Sequence, residues 1–169
     1  SLTDALTNYQ LISKDHALIR NLKLVSELCI DALENGIKLI FAGNGGSAAD
    51  AQHICAEFVA RFEKERKSLA AISLATNIST ITAISNDYSF DDIYSRQISS
   101  IGLKGDIFFA ISTSGNSANI INAIKVANKK CLKTIGLTGI NKGKMNSICD
   151  YLIEIPNKKT ARIQEGHIL

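Results

Sequence analysis

Long apolar runs are missing from this sequence. The longest are about strand length, and none approaches the ~20 residues needed to span a bilayer. Blocks of like charge are missing as well. Lys and Arg are spread along the chain and the formal net charge is only +3, which argues against nucleic-acid binding as the main function. No CxxC pair occurs. Cys29, Cys55, Cys131 and Cys149 lie far apart, so a thiolate metal cluster or a disulfide framework is not expected, and the thiols are read as reduced and mostly buried. Low-complexity sequence is absent, and no signal-peptide pattern opens the chain, so a cytoplasmic location is the expectation.

What is present reads as one globular domain. A chain of 169 residues with 46% hydrophobic and 21% charged content has enough apolar surface for a normal core. Residues 3–34 carry apolar residues at spacings of three and four without Gly or Pro, which predicts two helices or one bent helix ended by Gly36. Such a preface packs poorly on one domain alone, so residues 1–35 are expected to serve in oligomerisation.

After it the sequence alternates. Apolar runs at Ile37–Ala42, Ala70–Leu74, Ile107–Ile111, Lys133–Thr138 and Tyr151–Ile155 predict strands. Helical stretches separate the first four of them, around 47–62, 77–87, 90–102 and 118–130. The pattern predicts an α/β domain, a three-layer αβα sandwich with a mostly parallel sheet and added N-terminal helices. Ligands of such sheets sit outside the carboxyl ends of the strands.

Two loops fall there. The first, Gly43, Asn44, Gly45, Gly46 and Ser47, satisfies GxGxxG/A through Gly43, Gly45 and Ala48, the dinucleotide fingerprint. The acidic residue expected after the next strand is missing, since Ala75, Thr76 and Asn77 stand there, and this weakens the nicotinamide reading. A P-loop is excluded because Met145 follows Gly143-Lys144. The second loop places Ser112, Thr113, Ser114 and Ser117 around Gly115 and Asn116 at a helix start. Four hydroxyls exceed the single side chain that a helix cap needs, and with backbone amides they suit a phosphate. No Lys or Arg lies within that loop. On the helix after the first loop, His53 and Glu57 stand one turn apart on one face, where they could share a metal or leave Glu57 free as a base.

GNGGSAADAQH, the pair Asn86-Asp87, and ISTSGNSANI at Ile111–Ile120 resemble a sugar-isomerase (SIS) domain. With HxxxE in the first helix and RIQEGH at Arg162–His167, the whole chain resembles the phosphoheptose isomerases. The resemblance implies an SIS fold, homotetrameric assembly, and isomerisation of sedoheptulose 7-phosphate for ADP-heptose, lipopolysaccharide core or capsule. It implies substrate contacts at Asn44, Gly45, Gly46, Asn86 and Asp87, phosphate contacts at Ser112, Thr113, Ser114 and Ser117, and Glu57 as general base. His53, Glu57 and Gln164 are implied around a zinc ion, with Gln164 also on the substrate. The family's last active-site histidine falls past Leu169. His167 is not that residue, because at helical spacing it faces another way. The apolar, uncapped ending sets the expectation that the last helix continues. A non-enzymatic relative of this family binds the replication initiator DnaA; the presence here of His53, Glu57 and Gln164 favours the enzyme.

Overall fold

The computed structural model describes residues 1–169. The N-terminal preface is two helices, α1 (Leu2–Lys14) and α2 (His16–Glu34), broken at Asp15. Asp15 has extended backbone and its carboxylate accepts from the amides of Ala17 and Leu18, both at 3.0 Å, so one residue ends α1 and caps α2. Asn35 and Gly36 then stop α2, with Gly36 at φ 75.

Five parallel strands form one sheet: β1 (Leu39–Gly43), β2 (Ala71–Ser73), β3 (Ile107–Ile111), β4 (Lys133–Gly139) and β5 (Tyr151–Ile155). Their order is β2-β1-β3-β4-β5, so the chain reverses direction across the sheet between β1 and β3. The remaining helices are α3 (Gly46–Val59), α4 (Ile78–Asp87), α5 (Ile93–Ile101), α6 (Ala118–Lys129) and α7 (Thr160–Ile168). Short 3-10 turns cover Phe90–Asp92 and Gly143–Ser147.

Side chains alternate across the sheet and build a core on each face. Ile40, Ala42, Phe108 and Ala110 pack with Ile84 of α4, Ile98 of α5 and Ile120 and Ile124 of α6. Leu39, Phe41, Ile107 and Ile111 pack with Val25 and Cys29 of α2 and Ala51 of α3. On that second face Phe41 stacks on Phe109 with centroids 4.8 Å apart. No helix is long and apolar enough to cross a membrane. Cys29 is buried, Cys55 and Cys149 are half-buried, and Cys131 is exposed. Burial pushes the Cys29 thiol up to about 11 and the Cys149 thiol up to about 12.

α7 lies on the α2–α3 side, tied to α1. The Asn8 amide donates to the Arg162 carbonyl (2.8 Å), and Asn157 donates to Asn8 (2.9 Å). This tie sets where Gln164 sits. His167, in the last turn of α7, is buried, its Nε2 3.2 Å from the Thr138 carbonyl oxygen, and burial pushes its pKa down to about 4. It is a packing residue.

The preface leaves Leu2, Leu6, Leu11, Ile19, Leu22, Leu24 and Ile30 exposed.

Candidate active site

The reversal between β1 and β3 opens a crevice at the carboxyl ends of those strands, and both loops flank it. β1 is buried along its whole length and delivers the chain at Gly43, whose carbonyl accepts the hydroxyl of buried Tyr94. Gly45 then takes φ 57, and α3 begins with no side-chain cap. Gly46 has no side chain because Gln164 occupies the space: a Cβ there would come within 2.6 Å of the Gln164 amide nitrogen. Asn44 exchanges two amide hydrogen bonds with Asn119 of α6, at 2.8 and 2.9 Å. That pair bridges the two loops over the crevice.

The second loop is braced from below. Gly115 has φ 66, and a Cβ on it would lie 1.9 Å from the Lys142 carbonyl oxygen. Asn116 accepts from the Lys144 amide at 3.0 Å and donates to the Ser114 carbonyl at 3.0 Å. Ser112 is buried, with its hydroxyl 3.0 Å from Ser117 and 3.4 Å from Ser114. Ser117 occupies the cap position of α6 but bonds Ser112 instead of capping. The first turn of α6 therefore keeps its amides free of any side chain, beside three clustered hydroxyls. This is an anion-binding arrangement made of neutral donors.

The ionisable groups run down α3. Gly46, Asp50, His53 and Glu57 recur at four, three and four residues, so they form one stripe. His53 Nε2 lies 3.3 Å from Glu57 Oε1, and the His53 side chain is 61% exposed. Both line a cavity of about 430 Å³ with Phe58, Phe62, Arg66 and Leu169. Arg66 donates to the carbonyls of Glu57 (2.6 Å) and Phe58 (2.9 Å), which holds the last turn of α3 in place. Asp50 has one carboxylate oxygen enclosed without a partner; burial raises its pKa, with the nearby His53 opposing.

Some expected residues come together and others do not. Asn44, Gly45, Gly46 and Gln164 gather at one edge of the crevice, and Ser112, Ser114 and Ser117 at the other. His53 and Glu57 pair with each other. Glu57 is eleven residues along α3 from Gly46, about 16 Å, so this pair forms a second cluster and not a continuation of the loops. Asn86 and Asp87 bond to each other at 2.8 Å and to neither loop. An imidazole and a carboxylate at 3.3 Å fit two ligands of a divalent cation; Gln164, on α7, lies against Gly46 and has no hydrogen bond to either. No cluster of three His, Cys, Asp or Glu residues completes a metal site.

Sequence reasoning missed Asp50, Asn119, Tyr94 and Arg66. Asp50 had a signal, since its spacing from Gly46 and His53 puts it on their face. Asn119 sat within the second motif but had no partner legible at a separation of 75 residues.

The SIS domain family matches residues 10–139. The phosphoheptose isomerase of Aneurinibacillus thermoaerophilus is 49% identical over 158 residues, 94% of this chain and 80% of the relative. That of Neisseria meningitidis serogroup B is 51% identical over 147 residues, 85% of this chain and 75% of the relative. The chain belongs to the phosphoheptose isomerase family. The fold agrees: the structure of phosphoheptose isomerase from Neisseria gonorrhoeae superposes with a TM-score of 0.92 at 41% identity, across 99% of this chain and 88% of that one. One from Francisella tularensis gives 0.92 at 32% identity, with the same shares covered. Family membership makes this a sugar-phosphate isomerase, and the hydroxyl loop at the uncapped start of α6 is the feature of the site that suits the phosphate.

Proposed function

We propose that the protein converts sedoheptulose 7-phosphate to D-glycero-D-manno-heptose 7-phosphate in the cytoplasm, for ADP-heptose and then lipopolysaccharide core or capsule. The observation that carries the reading is the hydroxyl cluster of Ser112, Ser114 and Ser117, ready-made for a phosphoryl group at the crevice of a phosphoheptose isomerase fold.

In this reading the loop holds the phosphate and Thr113 adds a fourth hydroxyl, while Asn44, Gly45, Gly46, Asn86, Asp87 and Gln164 contact the sugar. Glu57 takes the proton from the hydroxymethyl carbon next to the ketone. The resulting enediol accepts that proton back at the neighbouring carbon, which leaves an aldehyde. A base placed this way contributes ~10²–10⁴ in rate. The hydroxyl proton passes from the oxygen of that hydroxymethyl carbon to the former ketone oxygen. His53, Glu57 and Gln164 would hold zinc, which when bound would polarise the carbonyl. The exposed apolar side chains of α1 and α2 support assembly of several copies, a homotetramer in the family pattern.

The test is incubation of the protein with sedoheptulose 7-phosphate, with and without a chelator. Aldose phosphate is the expected product, with loss on chelation and recovery on adding zinc. No product from the untreated protein would overturn the reading.

A further inference from the structure

The hydroxyl loop holds no cation of its own, so a phosphate bound there would keep its two negative charges among neutral donors. A second wall faces the loop. A cavity of about 130 Å³ is lined on one side by Thr113 and Ser114 and on the other by Asn141, Asn157, Lys158 and Thr160. Both walls are fixed. The Gly139 amide donates to the Thr113 carbonyl at 3.1 Å, which ties the hydroxyl loop to β4. The turn opposite is braced by Asn157, which donates to Asn8 (2.9 Å), accepts from the Lys159 amide (2.9 Å), and receives the Ile140 amide on its carbonyl (3.2 Å).

Two lysines next to cavity-lining residues in sequence are engaged elsewhere. Lys142 pairs with Glu154 at 2.9 Å, and Lys159 with Asp4 at 3.2 Å. Lys158 forms no ion pair and no side-chain hydrogen bond, and it is the cation that lines the cavity. We infer that Lys158 is a substrate-binding residue: its ammonium neutralises the phosphoryl group held by Thr113 and Ser114. The inference rests on reading the hydroxyl loop as the phosphate binder. It assigns the charge recognition to a turn more than forty residues away in sequence, which is why the loop itself needs no Lys or Arg. A lysine suits the place because it acts as a flexible point charge and demands no fixed fork geometry.

The experiment is a titration of the full chain with inorganic phosphate, followed by calorimetry, for the wild type and for Lys158→Gln, Lys158→Ala and Lys158→Arg. Lys158 is exposed, so these variants keep the fold. Loss of the charge is expected to raise the phosphate Kd about tenfold, with Lys158→Arg close to wild type. Added salt should weaken wild-type binding more steeply than that of Lys158→Gln. With sedoheptulose 7-phosphate, KM should rise in parallel while kcat holds. An unchanged Kd in Lys158→Gln, or no phosphate binding by the wild type, overturns the assignment. If phosphate binds and Lys158→Gln loosens it while the wild type turns over no sugar, Lys158 stands and the isomerase reading fails.

Discussion

The two strand-to-helix turns at the crevice share a plan and differ in finish. After β3, the hydroxyl loop is braced by Lys142, Lys144 and β4, the hydroxyls of Ser114 and Ser117 both lie within bonding distance of that of Ser112, and Ser112 is buried. After β1, the glycine turn leads into a helix whose reactive groups are still open. His53 is mostly exposed, Asp50 has an enclosed oxygen with no partner, and no third acidic, His or Cys ligand joins His53 and Glu57. Rigid donors suit the part of a substrate that does not change. In the proposed reaction the reacting carbons need groups that are free to exchange protons, and that reading places them on α3. In that reading one half of the site is a preformed receptor for the phosphate and the other half carries the chemistry.

The contrast can be broken from either side. The largest effect should come from Glu57→Gln, which keeps the shape and removes the base: kcat should fall ~10²–10⁴-fold while the phosphate Kd stays put. Gly115→Ala breaks the other half. Its new Cβ would run into the Lys142 carbonyl in a left-handed backbone, so urea unfolding should show a loss of roughly 2–4 kcal/mol and phosphate affinity should fall with it. Next comes pH, through the packing of α7. His167 is held neutral by burial, with a folded pKa of about 4 against an ordinary 6.5. As pH falls through 6.5 the unfolded chain takes up the proton first, so this contribution is whole above that value. It is lost progressively down to about pH 4, by at most about 3 kcal/mol. His167→Gln should flatten that acid limb in denaturant titrations across the range. The smallest effect belongs to the bridge between the halves. Asn119→Ala removes both bonds to Asn44 and should cost about 1–2 kcal/mol in unfolding, with KM raised more than kcat is lowered.

Much of the architecture was legible because it follows from periodicity. The strands at Ile107–Ile111 and Tyr151–Ile155 fall where the apolar runs put them, and both loops lie at strand carboxyl ends as a parallel sheet requires. The break between α1 and α2 was not fixed by periodicity, since the apolar spacing runs through it. It is a local event at Asp15, where a side chain competes for two backbone amides. The reversal between β1 and β3 was invisible too, because strand order depends on how helices cover the two faces. The candidate residues were legible by type, yet their grouping was not. His53 and Glu57 are near the first loop in sequence, but a helix rises 1.5 Å per residue and carries them away from it. Gln164 is remote in sequence and reaches Gly46 through the tie between α1 and α7.

The claim that Glu57 carries the proton while the hydroxyl loop carries the phosphate is tested most directly in heavy water. Sedoheptulose 7-phosphate is incubated with wild type and with Glu57→Gln, and deuterium at the carbons next to and bearing the carbonyl is followed by NMR. The wild type should incorporate deuterium during isomerisation, and Glu57→Gln should bind the sugar phosphate with similar affinity while exchanging almost none. Exchange by Glu57→Gln at the wild-type rate would contradict the account.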